Sequence, residues 1–199
     1  MRTNAGMVIL VSLLVILAVL GSRGGVASSQ PPLPPEPAVN RIAVAGVDGQ
    51  VRSIKPDGTD ILEISGSEGF FTWPTWAPNG KKLVYSGVVD DANGDPSITL
   101  FEYENSTGIS RKIHVGEPGF VGLLADGVVH YPMWSPDSKK LAFVAVTKQS
   151  GLTLFLDDLG DDPDSEYVLD QGPLWMSWSG DSSQLLVHRS DDHFLVDTD

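Results

Sequence analysis

The segment PMWSPDSKKLAF, from Pro132 to Phe143, decides the fold, because the chain contains it in three related copies. The first copy is PTWAPNGKKLVY, from Pro74 to Tyr85, and the third is MSWSGDSSQLLV, from Met176 to Val187. The tryptophans of consecutive copies are 58 and 44 residues apart. Self-similarity at this spacing indicates an array of similar structural units rather than a single irregular domain.

Each copy predicts a strand, a tight turn and a second strand. Tryptophan ends the first strand, proline pre-sets the backbone angle of the turn, Asp or Asn follows, and Gly or Ser closes it. The mostly apolar run after the turn is typical of a strand buried on both faces. We therefore predict that the motif residues are structural rather than catalytic. These residues are Trp76, Pro78, Asn79, Gly80, Trp134, Pro136, Asp137, Ser138, Trp178 and Asp181.

Further strands separated by turn residues follow each copy. They are predicted at Ser97–Tyr103, Ile109–Val115, Leu152–Leu156, Tyr167–Leu169 and His193–Val196. Four strands per unit, joined by hairpin turns, make a β-propeller blade. Upstream of the first copy, residues 41–64 read as a blade that lacks its first strand, and no stretch after residue 38 has the periodicity and caps of a helix.

The sequence therefore predicts an all-β fold of about three and a half four-stranded antiparallel blades. The blades are expected near residues 41–65, 71–115, 129–170 and 173–199. Residues 38–199 number 162. At roughly 40–45 residues per blade this is just under four blades, whereas propellers have about 4 to 8. We expect an incomplete propeller from a partial gene product, with a small closed ring or completion by a second chain as alternatives.

The run WSPDSKKLAF from Trp134 resembles the WD40-like repeat of TolB-type β-propellers, in which each blade carries a Trp-Ser-Pro-Asp-Gly motif. The run from Trp76 is a close variant, and the run from Trp178 lacks the proline. The resemblance covers about residues 40–199 and rests on an architectural motif. Such repeats occur in periplasmic interaction proteins, in propeller domains of prolyl-oligopeptidase-like peptidases and in extracellular sensor domains.

The amino-terminal region carries an export signal. Met7–Leu20 is a run of 14 residues in which only Ser12 is polar, and Ala27 ends a group of small residues suited to cleavage. The run is short for a spanning helix, which needs roughly 20 residues, and suits a signal peptide. We expect residues 1–27 to form a hydrophobic helix that is a signal peptide or a membrane anchor, and residues 28–39 to be a proline-rich linker. The protein is then periplasmic or extracellular.

Composition excludes several classes of function. With 26 acidic and 13 basic residues, the chain has a formal net charge of -13, which argues against nucleic-acid binding. The absence of cysteine excludes disulfides, thiolate metal sites, a cysteine nucleophile and an amino-terminal lipid-bearing cysteine. No cofactor is expected.

The histidines and serines form no recognisable catalytic pattern. His114, His130, His188 and His193 lack the helical spacing of a zinc site, which favours loop or strand-end positions without a metal. No Gly-x-Ser-x-Gly elbow occurs, so the sequence contains no sign of a serine hydrolase domain.

One acidic loop has calcium-like spacing. Asp91, Asn93 and Asp95 alternate, and Glu102 is the twelfth residue counted from Asp91. Pro96 replaces the glycine of a calcium loop, however, and Glu102 lies in a predicted strand rather than entering a helix. The simpler interpretation is an acidic surface turn, and calcium binding is kept as the alternative.

Two functions remain. The first is an exported, non-enzymatic propeller module that binds a protein or an envelope component, as the resemblance to TolB implies. The alternative is an accessory or sensor domain of a larger enzyme, such as a prolyl-oligopeptidase-like peptidase, whose catalytic domain is not present in this sequence.

Overall fold

The computed structural model describes residues 40–116, 130–147, 151–160, 166–170, 172 and 174–198. These residues contain fourteen strands in four antiparallel sheets, and no helix is found among them. The prediction of an all-β fold built from small antiparallel sheets is confirmed. The predicted amino-terminal hydrophobic helix, signal peptide or anchor and linker, residues 1–39, lie outside the described residues.

Each sheet is formed by strands that follow one another in the chain, and we call the sheets blades 1 to 4. The strands of blade 1 are β1 (Ile42–Ala45), β2 (Val51–Ile54) and β3 (Leu62–Glu63). Those of blade 2 are β4 (Phe70–Trp76), β5 (Lys82–Asp90), β6 (Pro96–Glu104) and β7 (Ile109–Val115). Those of blade 3 are β8 (Met133–Trp134), β9 (Leu141–Thr147), β10 (Gly151–Asp157) and β11 (Glu166–Leu169). Those of blade 4 are β12 (Leu174–Trp178), β13 (Gln184–Arg189) and β14 (Asp192–Asp197).

The strand after each motif turn is the centre of its blade. β5 pairs with β4 on one side and with β6 on the other, and β9 lies likewise between β8 and β10. In blade 4, β13 lies between β12 and β14. In blade 1, β1 is hydrogen-bonded only to β2 among the described strands. Blade 1 therefore has the strands that follow a motif turn without the strand that precedes one.

Three apolar clusters fill the spaces between neighbouring blades. Val51 of blade 1 packs with Leu83 and Tyr85 of blade 2. Between blades 2 and 3, Val84 packs with residues of β9, and between blades 3 and 4 Ala142 does the same with residues of β13. Burying one such aliphatic or aromatic side chain contributes about 1.5–3 kcal/mol, so the contacts between blades are the main source of stability.

Alternation along each central strand gives every blade two distinct faces. The upstream face packs against the preceding blade, and in blades 2 to 4 it carries residues that are at most 1 % exposed: Leu83, Tyr85, Leu141, Phe143, Leu185 and Val187. The downstream face packs against the following blade and carries the residues in between, such as Val84 and Ala142. These strands read as continuous apolar runs because both faces are covered.

The two ends of the array expose the faces that are buried elsewhere. On the upstream face of blade 1, Ile42 is 49 % and Val44 is 37 % exposed. On the downstream face of blade 4, Leu186 is 42 % and Leu195 is 68 % exposed. The first and last blades thus present apolar side chains to solvent at positions that are buried in the other blades.

No helix long and apolar enough to cross a membrane is present within the part of the chain that the structure describes.

Candidate functional site

The Asp or Asn of each motif is engaged in its own turn. Asp137 Oδ1 accepts hydrogen bonds from Ser135 Oγ at 2.6 Å and from the backbone N–H of Lys139 at 3.1 Å. The Ser135 hydroxyl is the main reason that the pKa of Asp137 is lowered. Asp181 is held in the same way by Ser179 and Ser183, and its pKa falls to about 2. These carboxylates therefore stabilise their own turns.

The residue that closes each turn has a left-handed backbone, with φ of 69° at Gly80, 64° at Ser138 and 67° at Ser182. Glycine adopts this conformation without strain, whereas serine does not. Ser138 Oγ, however, accepts a hydrogen bond of 3.0 Å from the backbone N–H of Asn79 in the preceding blade. Ser182 Oγ accepts one of 3.0 Å from Asp137 in the same way. Serine at this position therefore links consecutive blades.

The motif tryptophans form a second link between blades. Trp134 Nε1 donates to the backbone oxygen of Thr75 at 3.0 Å, and Trp178 Nε1 donates to that of Met133 at 3.1 Å. Each acceptor is the residue directly before the motif tryptophan of the preceding blade. Trp76 Nε1 is buried and has no hydrogen-bond partner among the described residues. Its acceptor would belong to a strand before β1, the position that is empty among the described strands of blade 1.

The structure brings together two histidines that the sequence does not connect. His130 is 3 % exposed, and its Nδ1 lies 2.9 Å from Oγ of the fully buried Ser86. The His114 ring is 5.8 Å from the His130 ring, centroid to centroid, and both contact Phe143. Burial, with a smaller contribution from His114, lowers the pKa of His130 to about 3. Burial also lowers the pKa of His114, against an opposing effect of Asp157.

This serine–histidine pair is unsuited to nucleophilic catalysis. Catalysis requires that the substrate reach the serine oxygen, whereas both side chains lie in the apolar layer between blades 2 and 3. The Ser86 hydroxyl and the His130 Nδ1 instead provide each other with a hydrogen-bond partner, which buried polar groups generally have.

A buried carboxylate of blade 2 holds a cation that reaches blade 3. Glu102 is 4 % exposed, and its oxygens lie 3.1 Å from Lys82 Nζ and 3.1 Å from Arg111 Nε. Arg111 also donates to the backbone oxygens of Leu159 and Gly160, which follow β10. Glu102, which falls at the twelfth position of the calcium-like loop, is thus occupied by two cations of its own blade.

The acidic loop itself is an ordinary turn. Asp91 Oδ1 accepts the backbone N–H groups of Asn93 at 2.7 Å and Asp95 at 2.9 Å, and the bond from Asp95 is the largest cause of the lowered pKa of Asp91. In the described ranges no three acidic or histidine side chains lie close enough together to share a metal ion.

A shallow cleft of about 400 Å³ lies at the boundary between blades 2 and 3. Lys82, Lys139 and Lys140 line it together with Asp158. Two of these lysines contact carboxylates, Lys82 that of Glu102 and Lys139 that of Asp137. The charges in the cleft are therefore already compensated in part, and Leu159 contributes an apolar side chain to its lining.

Two exposed aromatic residues, Trp73 and Tyr131, form a pair that is a candidate binding surface. Both residues stand three positions before a motif tryptophan, and their rings are 5.3 Å apart, centroid to centroid. Trp73 is 40 % and Tyr131 is 47 % exposed. Both have left-handed backbone, with φ of 52° and 40°. In blade 4 the equivalent residue is Trp175, which is 58 % exposed and contacts the ring of His188.

Sequence reasoning missed this pair, although one signal was available. An aromatic residue occurs at the same offset before the motif tryptophan in all three copies. The motif by itself predicts only the turn. The contact between the two rings depends on how neighbouring blades pack, which the sequence does not show.

Comparison with known proteins identifies the fold. No family model matches the chain, and no curated protein matches it. Among solved structures, TolB from Acinetobacter baumannii superimposes with a TM-score of 0.51 at 18 % identity, covering 74 % of this chain and 35 % of that one. Dipeptidyl peptidase 4 from Porphyromonas gingivalis gives 0.55 at 9 % identity, covering 79 % and 29 %. A putative TolB from Agrobacterium tumefaciens gives 0.50 at 15 % identity, covering 79 % and 56 %.

This chain therefore spans between 29 % and 56 % of the length of these structures. At such low identity the similarity shows the fold and leaves activity and partners open. The described residues are consecutive blades of an incomplete β-propeller similar in fold to TolB.

Proposed function

We propose that the protein is an exported, non-enzymatic propeller module that binds another protein or an envelope component through the aromatic pair. The observation that carries the proposal is the exposure of Trp73 and Tyr131 side by side on neighbouring blades. Large aromatic side chains supply much of the binding energy of protein interfaces when they become buried there.

The backbone at the pair supports the same interpretation. Left-handed backbone costs a non-glycine residue on the order of 1–3 kcal/mol, and such strain is concentrated at functional sites. Here two bulky residues that touch each other both have it. Despite this strain, 40 % of Trp73 and 47 % of Tyr131 remain exposed to solvent. Binding of a partner would supply the burial that folding does not.

The fate of the polar groups supports a role without catalysis. Ser86 and His130 are buried against each other, and Glu102 is neutralised by two cations. The motif residues, from Trp76 to Asp181, are proposed to be architectural, since most of those with polar side chains bond within a turn or between blades.

Export is supported by the amino-terminal sequence. We propose that residues 1–27, which include the apolar run Met7–Leu20, act as a signal peptide or anchor. Residues 28–39, with five prolines, would then be an extended linker that precedes blade 1.

Site-specific photo-crosslinking in the native host tests the proposal. A photoreactive amino acid placed at Tyr131 is expected to give a discrete adduct with a second macromolecule. The same amino acid at Ile109, which is 65 % exposed on the outer strand of blade 2, should give none. A Trp73→Ala substitution should weaken the Tyr131 adduct without loss of the folded protein. Equal labelling at Tyr131 and Ile109 would contradict the assignment of the pair as a binding surface.

The alternative is an accessory propeller of a larger enzyme. The observation that favours it is the similarity to dipeptidyl peptidase 4, of which this chain covers 29 %. Under this alternative the Tyr131 crosslink would be to a catalytic domain that carries the peptidase activity, which mass spectrometry of the adduct would show.

A further inference from the structure

We propose that two copies of the chain associate head to tail, with the downstream face of blade 4 in each copy packed on the upstream face of blade 1 in the other. The inference concerns surfaces other than the aromatic pair and goes beyond the proposed binding function. It rests on the exposed faces at the two ends of the array and on the three contacts between blades that show what such faces bind.

The contacts within the chain all follow one pattern. The upstream face of a central strand, for example Leu141 and Phe143, packs on the downstream face of the preceding blade, for example Val84. The same arrangement joins blade 1 to blade 2 and blade 3 to blade 4. An upstream face is therefore complementary to a downstream face, and this complementarity is realised three times in the described residues.

Among the described residues, no blade packs on the upstream face of blade 1. Ala43 packs into the cluster shared with blade 2, so its neighbours Ile42 and Val44 point the opposite way. They are 49 % and 37 % exposed, whereas Leu83 and Tyr85 on the upstream face of blade 2 are 0 % and 1 % exposed. The charged groups on this side are paired with one another and leave one net negative charge, because Arg52 bonds to Asp48 at 2.6 Å and to Glu63 at 2.8 Å.

Blade 4 presents the matching downstream face. Leu185 and Val187 pack against blade 3, so Leu186 points away from it, and Leu195 lies directly opposite Leu186 on the neighbouring strand. These two leucines are 42 % and 68 % exposed. His188 and His193 are also opposite each other, with stacked rings 4.6 Å apart, centroid to centroid. The face thus carries two leucines and two stacked histidines, and at its edge Gln184 Nε2 donates to Asp197 Oδ1 at 2.9 Å.

A second copy is the occupant that these two faces specify together. Both faces are exposed in one chain, so they do not cover each other within it. A head-to-tail contact joins two different surfaces, so each added copy leaves one surface free at either end of the assembly. Both surfaces are covered only if the rotation from copy to copy closes the assembly into a ring. Two copies bring together eight of the described sheets, the upper end of the usual range of about 4 to 8 blades, and three copies would exceed that range. The closed pair is therefore the expected assembly.

Two single substitutions and their mixture test the proposal. The full chain is solubilised in a mild detergent, and its mass is measured by native mass spectrometry. The unsubstituted protein should have twice the mass of one chain. Leu195→Asp, which places a charge on the blade 4 face, and Val44→Asp, which places one on the blade 1 face, should each give monomers. Ile109→Asp, on the 65 % exposed Ile109, is the matched control and should remain dimeric.

The mixture distinguishes head-to-tail from face-to-face pairing and also controls for folding. Each variant keeps the face that the other has lost, so an equimolar mixture should regain heterodimers held by one intact contact. An unfolded variant would not do so. The proposal is overturned if the unsubstituted chain is monomeric or forms open higher oligomers. It is also overturned if either single variant dimerises by itself, or if the mixture stays monomeric.

Discussion

At the scale of single residues, the positions that hold the array together are those where a polar atom of one blade reaches the backbone of the preceding blade. Trp134 and Ser138 both do this, one through an indole N–H and one through a hydroxyl oxygen. Ser138 has left-handed backbone that glycine would adopt more easily, so its hydroxyl offsets a conformational cost. Gly80, at the equivalent position in blade 2, has no preceding motif turn to bond to and carries no side chain.

The indole hydrogen bonds predict unequal effects of the same substitution. Trp134→Phe removes a donor and leaves the Thr75 oxygen without it, whereas Trp76→Phe removes a buried donor that has no acceptor. Leaving a buried polar group unsatisfied costs about 1–3 kcal/mol. We therefore expect Trp134→Phe to lower the free energy of unfolding by at least about 1 kcal/mol more than Trp76→Phe.

Urea unfolding followed by far-UV circular dichroism measures this difference, and Trp178→Phe, which also breaks an indole hydrogen bond, serves as a second member of the first class. Equal losses for Trp76→Phe and Trp134→Phe would show that only the size of the ring matters.

At the scale of strands and turns, the sequence predicts most of what the structure contains. The central strands β5, β9 and β13 are predicted by apolar runs such as Leu83–Tyr85. A strand that is covered on both faces is apolar at successive positions, so it stands out in the sequence as a continuous apolar run. The turns follow from the motif because proline and Asp have intrinsic turn preferences. Such features depend on neighbours in the sequence and can therefore be inferred from it.

Contacts between blades are the part that could not be inferred. Ser86 and His130 are 44 residues apart in the sequence, and nothing in either local pattern indicates a partner. The aromatic pair joins residues of two different blades in the same way. Only the packing of whole blades brings these side chains together, so the candidate binding surface emerged from the structure, whereas the fold emerged from the sequence.

The buried histidines predict loss of stability in acid. The pKa of His130 is lowered to about 3 in the folded protein, while an unfolded histidine has a pKa of about 6.5. Below pH 6.5 the unfolded chain binds a proton that the folded chain does not, so the free energy of unfolding falls as the pH falls toward 3. Between pH 7 and pH 5 this one residue should cost about 2 kcal/mol.

His130→Asn removes the ionisable ring and keeps a polar side chain beside Ser86. The variant is expected to be less stable than the unsubstituted protein at pH 7 but to lose less stability between pH 7 and pH 5. Ser86→Ala, which keeps the histidine, is the control and should retain the pH dependence. Identical slopes for all three proteins in urea unfolding would rule out His130 as the source.

At the scale of the whole molecule, two properties oppose each other. The open faces at Val44 and Leu195 favour association through apolar contact, whereas a net charge of -13 on each copy repels a second copy. Salt screens the repulsion and leaves the apolar contact, since the screening length falls from about 10 Å at 0.1 M to about 3 Å at 1 M.

The head-to-tail pair should therefore tighten as salt is added. Analytical ultracentrifugation of the full chain in detergent, at sodium chloride concentrations between about 0.05 and 0.5 M, is expected to show a falling dissociation constant for the dimer. A dissociation constant that rises with salt would mean that ion pairs, rather than the apolar faces, hold the two copies together.

The indole N–H of Trp76, which has no partner among the described residues, can be used to detect whether blade 1 is complete. Its N–H is buried and has no acceptor among the described residues, whereas the equivalent groups of Trp134 and Trp178 bond to the preceding blade, so a carbonyl that reached it would change its chemical environment. In a chain with five tryptophans, that single indole proton distinguishes an empty position from a filled one by its nuclear magnetic resonance frequency and its rate of exchange with water. A segment that completes blade 1, from this chain or from another, would shift the indole N–H resonance of Trp76, while those of Trp134 and Trp178 stay unchanged.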